Sequence, residues 1–292
     1  MDESDVFGGR SASARTVVVY GNCQAPVLAR RLSLLTDLND DYRFLAINRH
    51  LAFDPAQSGF LPDGFPQGVA LLLEQYEDHA SRNPLRMFLH ERLPAGCPVI
   101  TYPSFAMNSM WPFECPDPRC PADTRFPYGR YQGDFIAMQV AHAGLRGGPA
   151  IAAYLDLSAR KMPNLEVRLQ RDLHRMQHYD ASCDVPLADY VERSFRDHHL
   201  FGTAGHVSDA AITELARRVM DAARRVLGGT AQHLEAMMAG QPGMPLQAPI
   251  HPMAADQLGL KFWTADLVYR WYSQAWTHDE YLGRYIENDS TW

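Results

Sequence analysis

Apolar and polar positions fall into two regimes along this chain. In the first hundred residues, short β-branched or aliphatic runs alternate with loops: Thr16 to Tyr20, Tyr42 to Ile47, Val69 to Leu73 and Pro98 to Tyr102. Continuous apolar runs of this length predict buried strands of a parallel sheet. Val69 to Leu73 ends in Glu74-Gln75, polar residues at a strand tip, although a helical turn running on through Tyr76 is the competing reading. Between the strands, Ala25 to Leu35 carries Val27, Leu28, Leu32 and Leu35 near helical spacing, with Pro26 in its first turn. Asn83 to Leu93 predicts a helix capped by Asn83 with Pro84 at its first position.

From Asp134 the period becomes helical. Helices are predicted over 134–143, 148–158, 164–178, 186–196, 208–227 and 230–239. The clearest follows Ser208, where Ile212, Leu215, Val219, Ala223 and Val226 form one stripe and Gly228-Gly229 end it. Met107 to Gly133 is a long aromatic and proline-rich loop, of a length that is often functional. It is a candidate lid. Residues 240–257 read as a linker. Phe262 to Tyr285 reads as an aromatic helix packed on the body, or as part of a ligand or oligomer surface.

The fold class expected is α/β: a short parallel sheet of flavodoxin-like kind in the N-terminal half, and a largely helical C-terminal half. The expected organisation is a disordered leader (1–15), an α/β catalytic domain (16–239) turning helical from about 134, and a linker with an aromatic helical extension (240–292).

Composition narrows the function. The chain has 292 residues, is 46% hydrophobic and carries a formal charge of −7, which argues against nucleic acid as a partner. Met1 to Ala14 is polar and lacks the basic start and apolar core of a signal peptide. No stretch is apolar enough to cross a membrane. Five cysteines, an odd number, suit reduced thiols in the cytoplasm.

The candidate chemistry centres on Gly21-Asn22-Cys23-Gln24, between the first predicted strand and its helix. The carboxyl edge of a parallel sheet is where ligands bind in open α/β folds. A helix N-terminus there supplies N–H groups and partial positive charge, so Cys23 is expected to have a lowered thiol pKa and act as a nucleophile. Gly21 permits the sharp turn, and the amides of Asn22, Gln24 and Gln75, with Ser104, are candidates for positioning or for an oxyanion hole. Among twelve histidines the candidate base is His206, on a Gly-bounded loop entering a capped helix; His198 and His199 are the runners-up. Asp197-His198-His199 and the pair Cys115, Cys120 lack the second cluster a metal site needs, and no metal is expected. Arg30 lies on the first helix, beside Arg31. Lys161, Arg168, Arg171 and Arg175 lie on or before the 164–178 helix, the three arginines on one face. They are candidate phosphate ligands, or else a solvated face.

Several of these segments together resemble the WcbI family of capsular polysaccharide biosynthesis proteins, regarded as coenzyme A-binding acetyltransferases. They are strand-GNCQ-helix, the strand ending in Glu74-Gln75, Val99 to Phe105, Arg171-Asp172 on a helix, and Thr203-Ala204-Gly205-His206. The resemblance covers roughly residues 16–228. It implies a fold related to the SGNH hydrolases, with Gly21-Asn22-Cys23 standing for their Gly-Asp-Ser block and His206 for their late histidine. Where SGNH enzymes carry an Asp three residues before that histidine, this chain has Thr203. Where the family carries Asn before it and Pro after it, this chain has Gly205 and Val207.

The implied activity is acyl transfer, with acetyl the expected group, from acyl-coenzyme A to a hydroxyl or amine of a small-molecule or saccharide acceptor. A thioesterase on the same site and a non-catalytic coenzyme A binder are the alternatives.

Overall fold

The computed structural model describes residues 5–9, 11, 13–34, 38, 41–50, 65, 68–76, 78, 82–228 and 246–289. It is α/β, with the sheet in the N-terminal part and helices dominating thereafter, as the apolar pattern predicts. The chain divides into two compact units. The first comprises Met1–Phe105, Leu173–Glu192 and Val207–Pro242; the second comprises Ala106–Asp172, Arg193–His206 and Gly243–Trp292.

The first unit is built on a five-stranded sheet of order β1-β3-β2-β4-β5. Its strands are β1 (Asp5–Gly8), β2 (Arg15–Gly21), β3 (Tyr42–Asn48), β4 (Val69–Tyr76) and β5 (Val99–Pro103). β2 lies parallel to both β3 and β4, and β4 lies parallel to β5. Val69 therefore opens a strand, not a helical turn, and the run stays extended through Tyr76. The predicted leader is corrected at Asp5–Gly8, which pairs antiparallel with β3 and closes that edge.

Both faces of the sheet are covered. Val18, Tyr20, Leu45, Ile47 and Leu72 pack with Leu85, Phe88 and Leu89 of α2 (Pro84–Arg92). Val17 and Val19, out of phase by one residue, point to the opposite face. α1 (Gln24–Leu32) and α7 (Asp209–Leu227) pack on each other beside the sheet. Buried Arg31 of α1 pairs there with Asp209 at the start of α7.

The capping signals are used as read. Asn83 accepts from Leu85 N and Arg86 N, and Ser208 accepts from Ala211 N, while Gly228 ends α7 with φ of 69°. The remaining helices are α3 (Phe135–His142), α4 (Gly147–Lys161), α5 (Leu165–Asp180), α6 (Ala188–Ser194), α8 (Pro252–Leu258) and α9 (His278–Glu287). The predicted helix 230–239 lies outside the described residues. The predicted linker 240–257 is corrected at its end, where His251 caps α8.

The single C-terminal helix expected over Phe262 to Tyr285 is also corrected. It is a hairpin, β6 (Tyr269–Trp271) and β7 (Gln274–Trp276), followed by α9. The period is two here: Tyr269 and Trp271 are buried while Arg270 between them is exposed. The two-residue turn places Tyr272 at φ of 54°. Tyr269, Trp271, Trp276, Tyr281 and Tyr285 are all buried within the chain, while Phe262, Trp263 and Tyr272 are half-buried. Among the described residues no helix is long and apolar enough to cross a membrane.

Deleting the Asp209 carboxylate removes an ion-pair partner of buried Arg31. Asp209→Ala is expected to lower stability by about 2 kcal/mol, reduced from the fully buried case because Asp209 is partly exposed. Adding Arg31→Met is expected to restore most of it. Urea unfolding of the single and double variants measures both.

Candidate active site at the carboxyl edge of the sheet

Cys23 sits where the sequence places it. β2 ends at Gly21, and Cys23 is the N-cap of α1. Its thiol makes no side-chain cap hydrogen bond, is half-buried and forms no disulfide. The turn needs glycine at position 21 for a steric reason. A Cβ there would lie 2.8 Å from Gln75 Cβ and Oε1 and 2.9 Å from the Tyr102 hydroxyl.

The amides around the cysteine form a relay. Asn22 N donates to Gln75 Oε1 (2.8 Å), Gln75 Nε2 donates to Gln24 Oε1 (2.7 Å), and Gln24 Nε2 donates to Phe105 O (2.7 Å). Asn22 Oδ1 accepts from Gln24 N (2.9 Å), and Asn22 Nδ2 donates to Ser104 Oγ (3.2 Å). Of the two roles expected for Gln24 and Gln75, positioning or oxyanion binding, the geometry matches positioning: both side chains are buried and their amides hold the turn. Asn22 Nδ2 keeps a second hydrogen, and Ser104 keeps its hydroxyl hydrogen.

The expected lowering of the Cys23 pKa is corrected as well. Burial pushes it up, only partly opposed by its own backbone N–H and by the Arg49 guanidinium. Arg49 is a buried residue just past β3, and its N donates to Gly21 O at 2.8 Å. Its position two residues beyond the predicted strand Tyr42 to Ile47, on the same edge as Cys23, was the available signal.

His206 belongs to the second unit. Its Nδ1 lies 2.8 Å from Thr203 Oγ1, and its ring meets Tyr128 edge-on at 4.5 Å between centroids. Its Nε2 is buried without a hydrogen-bond partner among the described residues. Burial lowers its pKa, which keeps the imidazole neutral at pH 7. Of the runners-up, His198 is exposed, and His199 stacks on Phe262 at 4.9 Å with its pKa pushed down to about 4 by burial. Among the described residues no group of His, Cys, Asp and Glu is placed to hold a metal ion.

The cations expected to clamp phosphates are not gathered within either unit. Arg30 and Arg175 belong to the first; Lys161, Arg168 and Arg171 belong to the second. Lys161 Nζ donates to Gln139 Oε1 (2.9 Å), and Arg168 Nη1 donates to Pro112 O (2.8 Å). Arg30 and Arg171 are exposed.

The long aromatic loop lines a cavity of about 750 Å³ within the second unit. Trp111, Tyr128, Tyr131, Asn108, Arg168 and Ala204 are among its walls. The lid expectation is corrected, because the loop is tied down by its backbone. Tyr128 N donates to Tyr272 Oη (3.0 Å), Trp271 Nε1 to Arg130 O (2.7 Å), Gln132 N to Tyr281 Oη (2.7 Å) and Asp134 N to Tyr285 Oη (2.9 Å).

Residues 16–225 match the family described as "Polysaccharide biosynthesis enzyme WcbI". The chain belongs to the WcbI family. A solved WcbI structure has the same fold, with a TM-score of 0.69 and 16% sequence identity, over 94% of this chain and 91% of that one. That structure is described as the native protein without a disulfide bond between coenzyme A and one of its cysteines. No curated protein matches the chain. WcbI family membership makes it a polysaccharide biosynthesis enzyme, and the matched residues include the strand-GNCQ-helix turn.

Gly21→Ala is expected to cost about 1–3 kcal/mol in thermal or urea unfolding, because the new methyl must displace Gln75 and Tyr102. In the ligand-free protein the Cys23 thiol is expected to be neutral at pH 7. Iodoacetamide labelling of its peptide, followed by mass spectrometry, should still be rising above pH 8.5, the ordinary thiol range. A plateau below pH 8 would contradict the burial argument.

Proposed function

We propose that this enzyme transfers an acyl group, acetyl first among candidates, from acyl-coenzyme A to a hydroxyl or amine of a saccharide or related small acceptor, through Cys23. The observation that carries the reading is the placement of a free thiol at the N-cap of α1, at the carboxyl edge of parallel strands, with no cap bond of its own. The amide relay keeps that turn rigid, and Arg49 supplies positive charge. The WcbI structure described with coenzyme A and a cysteine supports the choice of donor.

In the proposed reaction the Cys23 sulfur attacks the thioester carbonyl as its proton passes to a base. The oxyanion is met by the Cys23 N–H and by donors that the relay leaves available, Asn22 Nδ2 and the Ser104 hydroxyl. The carbon–sulfur bond to coenzyme A breaks, and its thiolate leaves, taking up a proton. The acceptor hydroxyl or amine then attacks the acyl-cysteine and regenerates the thiol.

A neutral thiol fits a neutral imidazole as base better than a preformed ion pair, and His206, kept neutral by burial, is proposed for that role. Arg30, Arg168, Arg171, Arg175 and Lys161 stay as proposed contacts of the coenzyme A phosphates, with exposed Arg30 and Arg171 the first to test. The aromatic cavity of the second unit is proposed for the acceptor, since ring faces and amides suit a polyhydroxylated ligand.

Mass spectrometry after incubation with acetyl-coenzyme A should find one acetyl group on Cys23. Cys23→Ala should abolish it and cut transfer at least 100-fold. Full transfer by Cys23→Ala would remove the covalent route. Release of acetate at equal rates with and without acceptor would make the enzyme a thioesterase instead.

A further inference from the structure

Thr203 makes a contact that the reaction outline does not use. Its Oγ1 lies 2.8 Å from His206 Nδ1 and accepts from the His206 backbone N at 3.1 Å. The carbonyl of His206 accepts from Gly202 N (2.8 Å), so the 202–206 loop is closed on itself. Thr203 is buried. Among the described residues, Nδ1 is the one acceptor within hydrogen-bond reach of the Thr203 hydroxyl hydrogen.

The hydrogens can be counted. If the hydroxyl donates to Nδ1, the ring carries its own hydrogen on Nε2, and one buried donor is left without a partner. If Nδ1–H donates to Oγ1 instead, the hydroxyl hydrogen has no acceptor, and Nε2 presents a bare lone pair that is also unpartnered. The first arrangement leaves fewer groups unsatisfied, and each buried unsatisfied group is costly.

From this geometry we infer that Thr203 is a positioning residue that holds His206, in the ligand-free enzyme, as the Nε2–H tautomer, and that a ligand hydroxyl or thiol donating toward Nε2 is needed to turn it into a base. The inference rests on the proposed role of His206. A carboxylate at position 203 would accept Nδ1–H permanently and keep Nε2 bare. A hydroxyl works in both directions. The ring gives up its Nε2 hydrogen to water and takes one on Nδ1 from water as the Thr203 hydroxyl rotates from donor to acceptor. No net proton is gained or lost. Tyr128, packed edge-on against the ring, is the titratable side chain in contact with it. In the proposed reaction the Cys23 thiol is such a donor until it is acylated; after that, base catalysis waits for the acceptor, which disfavours hydrolysis of the acyl-enzyme when no acceptor is bound.

The test uses the full-length protein labelled with ¹⁵N-histidine, with the His206 signals assigned by difference against His206→Gln. Wild type at pH 7 should show a protonated Nε2 and an Nδ1 shifted as a hydrogen-bond acceptor. Thr203→Ser should keep both features. Thr203→Val should lose the acceptor shift, and Thr203→Asp should move the hydrogen to Nδ1 and raise the imidazole pKa. Acetyl-coenzyme A hydrolysis without acceptor should rise about tenfold in Thr203→Asp, a gain that structural damage does not produce. A wild-type Nδ1–H tautomer, or the same Nδ1 shift in wild type and Thr203→Val, would overturn the inference. Tautomer changes as expected with hydrolysis and transfer rates unmoved would uphold the Thr203–His206 contact and remove His206 as the base.

Discussion

The arrangement at Cys23 depends on the side-chain amide of Gln75. It is fully buried, so each of its polar atoms must find a partner or cost stability. It finds them in the Asn22 backbone and the Gln24 side chain, and Gln24 passes the chain of bonds on to the Phe105 carbonyl. Three strand ends are thus locked to one helix start. Gly21 is the condition for this, since any side chain at that position would occupy the space of Gln75. Rigidity around the thiol and unavailability of those amides for a ligand are the same fact.

The same burial sets the electrostatics. The α1 N-terminus and Arg49 favour a thiolate, but removal from water outweighs them, so in the proposed reaction the cysteine attacks only once its proton has somewhere to go. His206 is neutral for the same reason. The proposed neutral base needs no carboxylate to stabilise a resting imidazolium. Thr203, an uncharged hydroxyl 2.8 Å from His206 Nδ1, is consistent with that economy of charge.

Much of this was legible in the sequence. Continuous apolar runs marked every parallel strand, and Asn83 and Ser208 marked helix starts, because those signals are local. Strand β1 was missed because its pairing with β3 is long-range and its four residues carry little pattern. The C-terminal hairpin was missed because three-residue strands are too short for a period to show beside the aromatic density around them. Cys23 was readable from its strand–turn–helix setting. The fate of its neighbours was not, because the commitment of Gln24 and Gln75 depends on Phe105, some eighty positions away. Arg49 had a positional signal, two residues past the predicted run Tyr42 to Ile47, but no motif.

The C-terminal tyrosines and Trp271 grip the long loop by main-chain atoms: the N–H groups of Tyr128, Gln132 and Asp134 and the carbonyls of Gly129 and Arg130. Main-chain atoms are the same whatever the residue. Apart from Gly129 and Gly133, where a Cβ would run into the Cys120 and Cys115 carbonyls, the path of the loop is therefore insulated from the side chains it carries into the cavity. Substitutions at those other positions can change the lining of the proposed acceptor cavity without redrawing its outline.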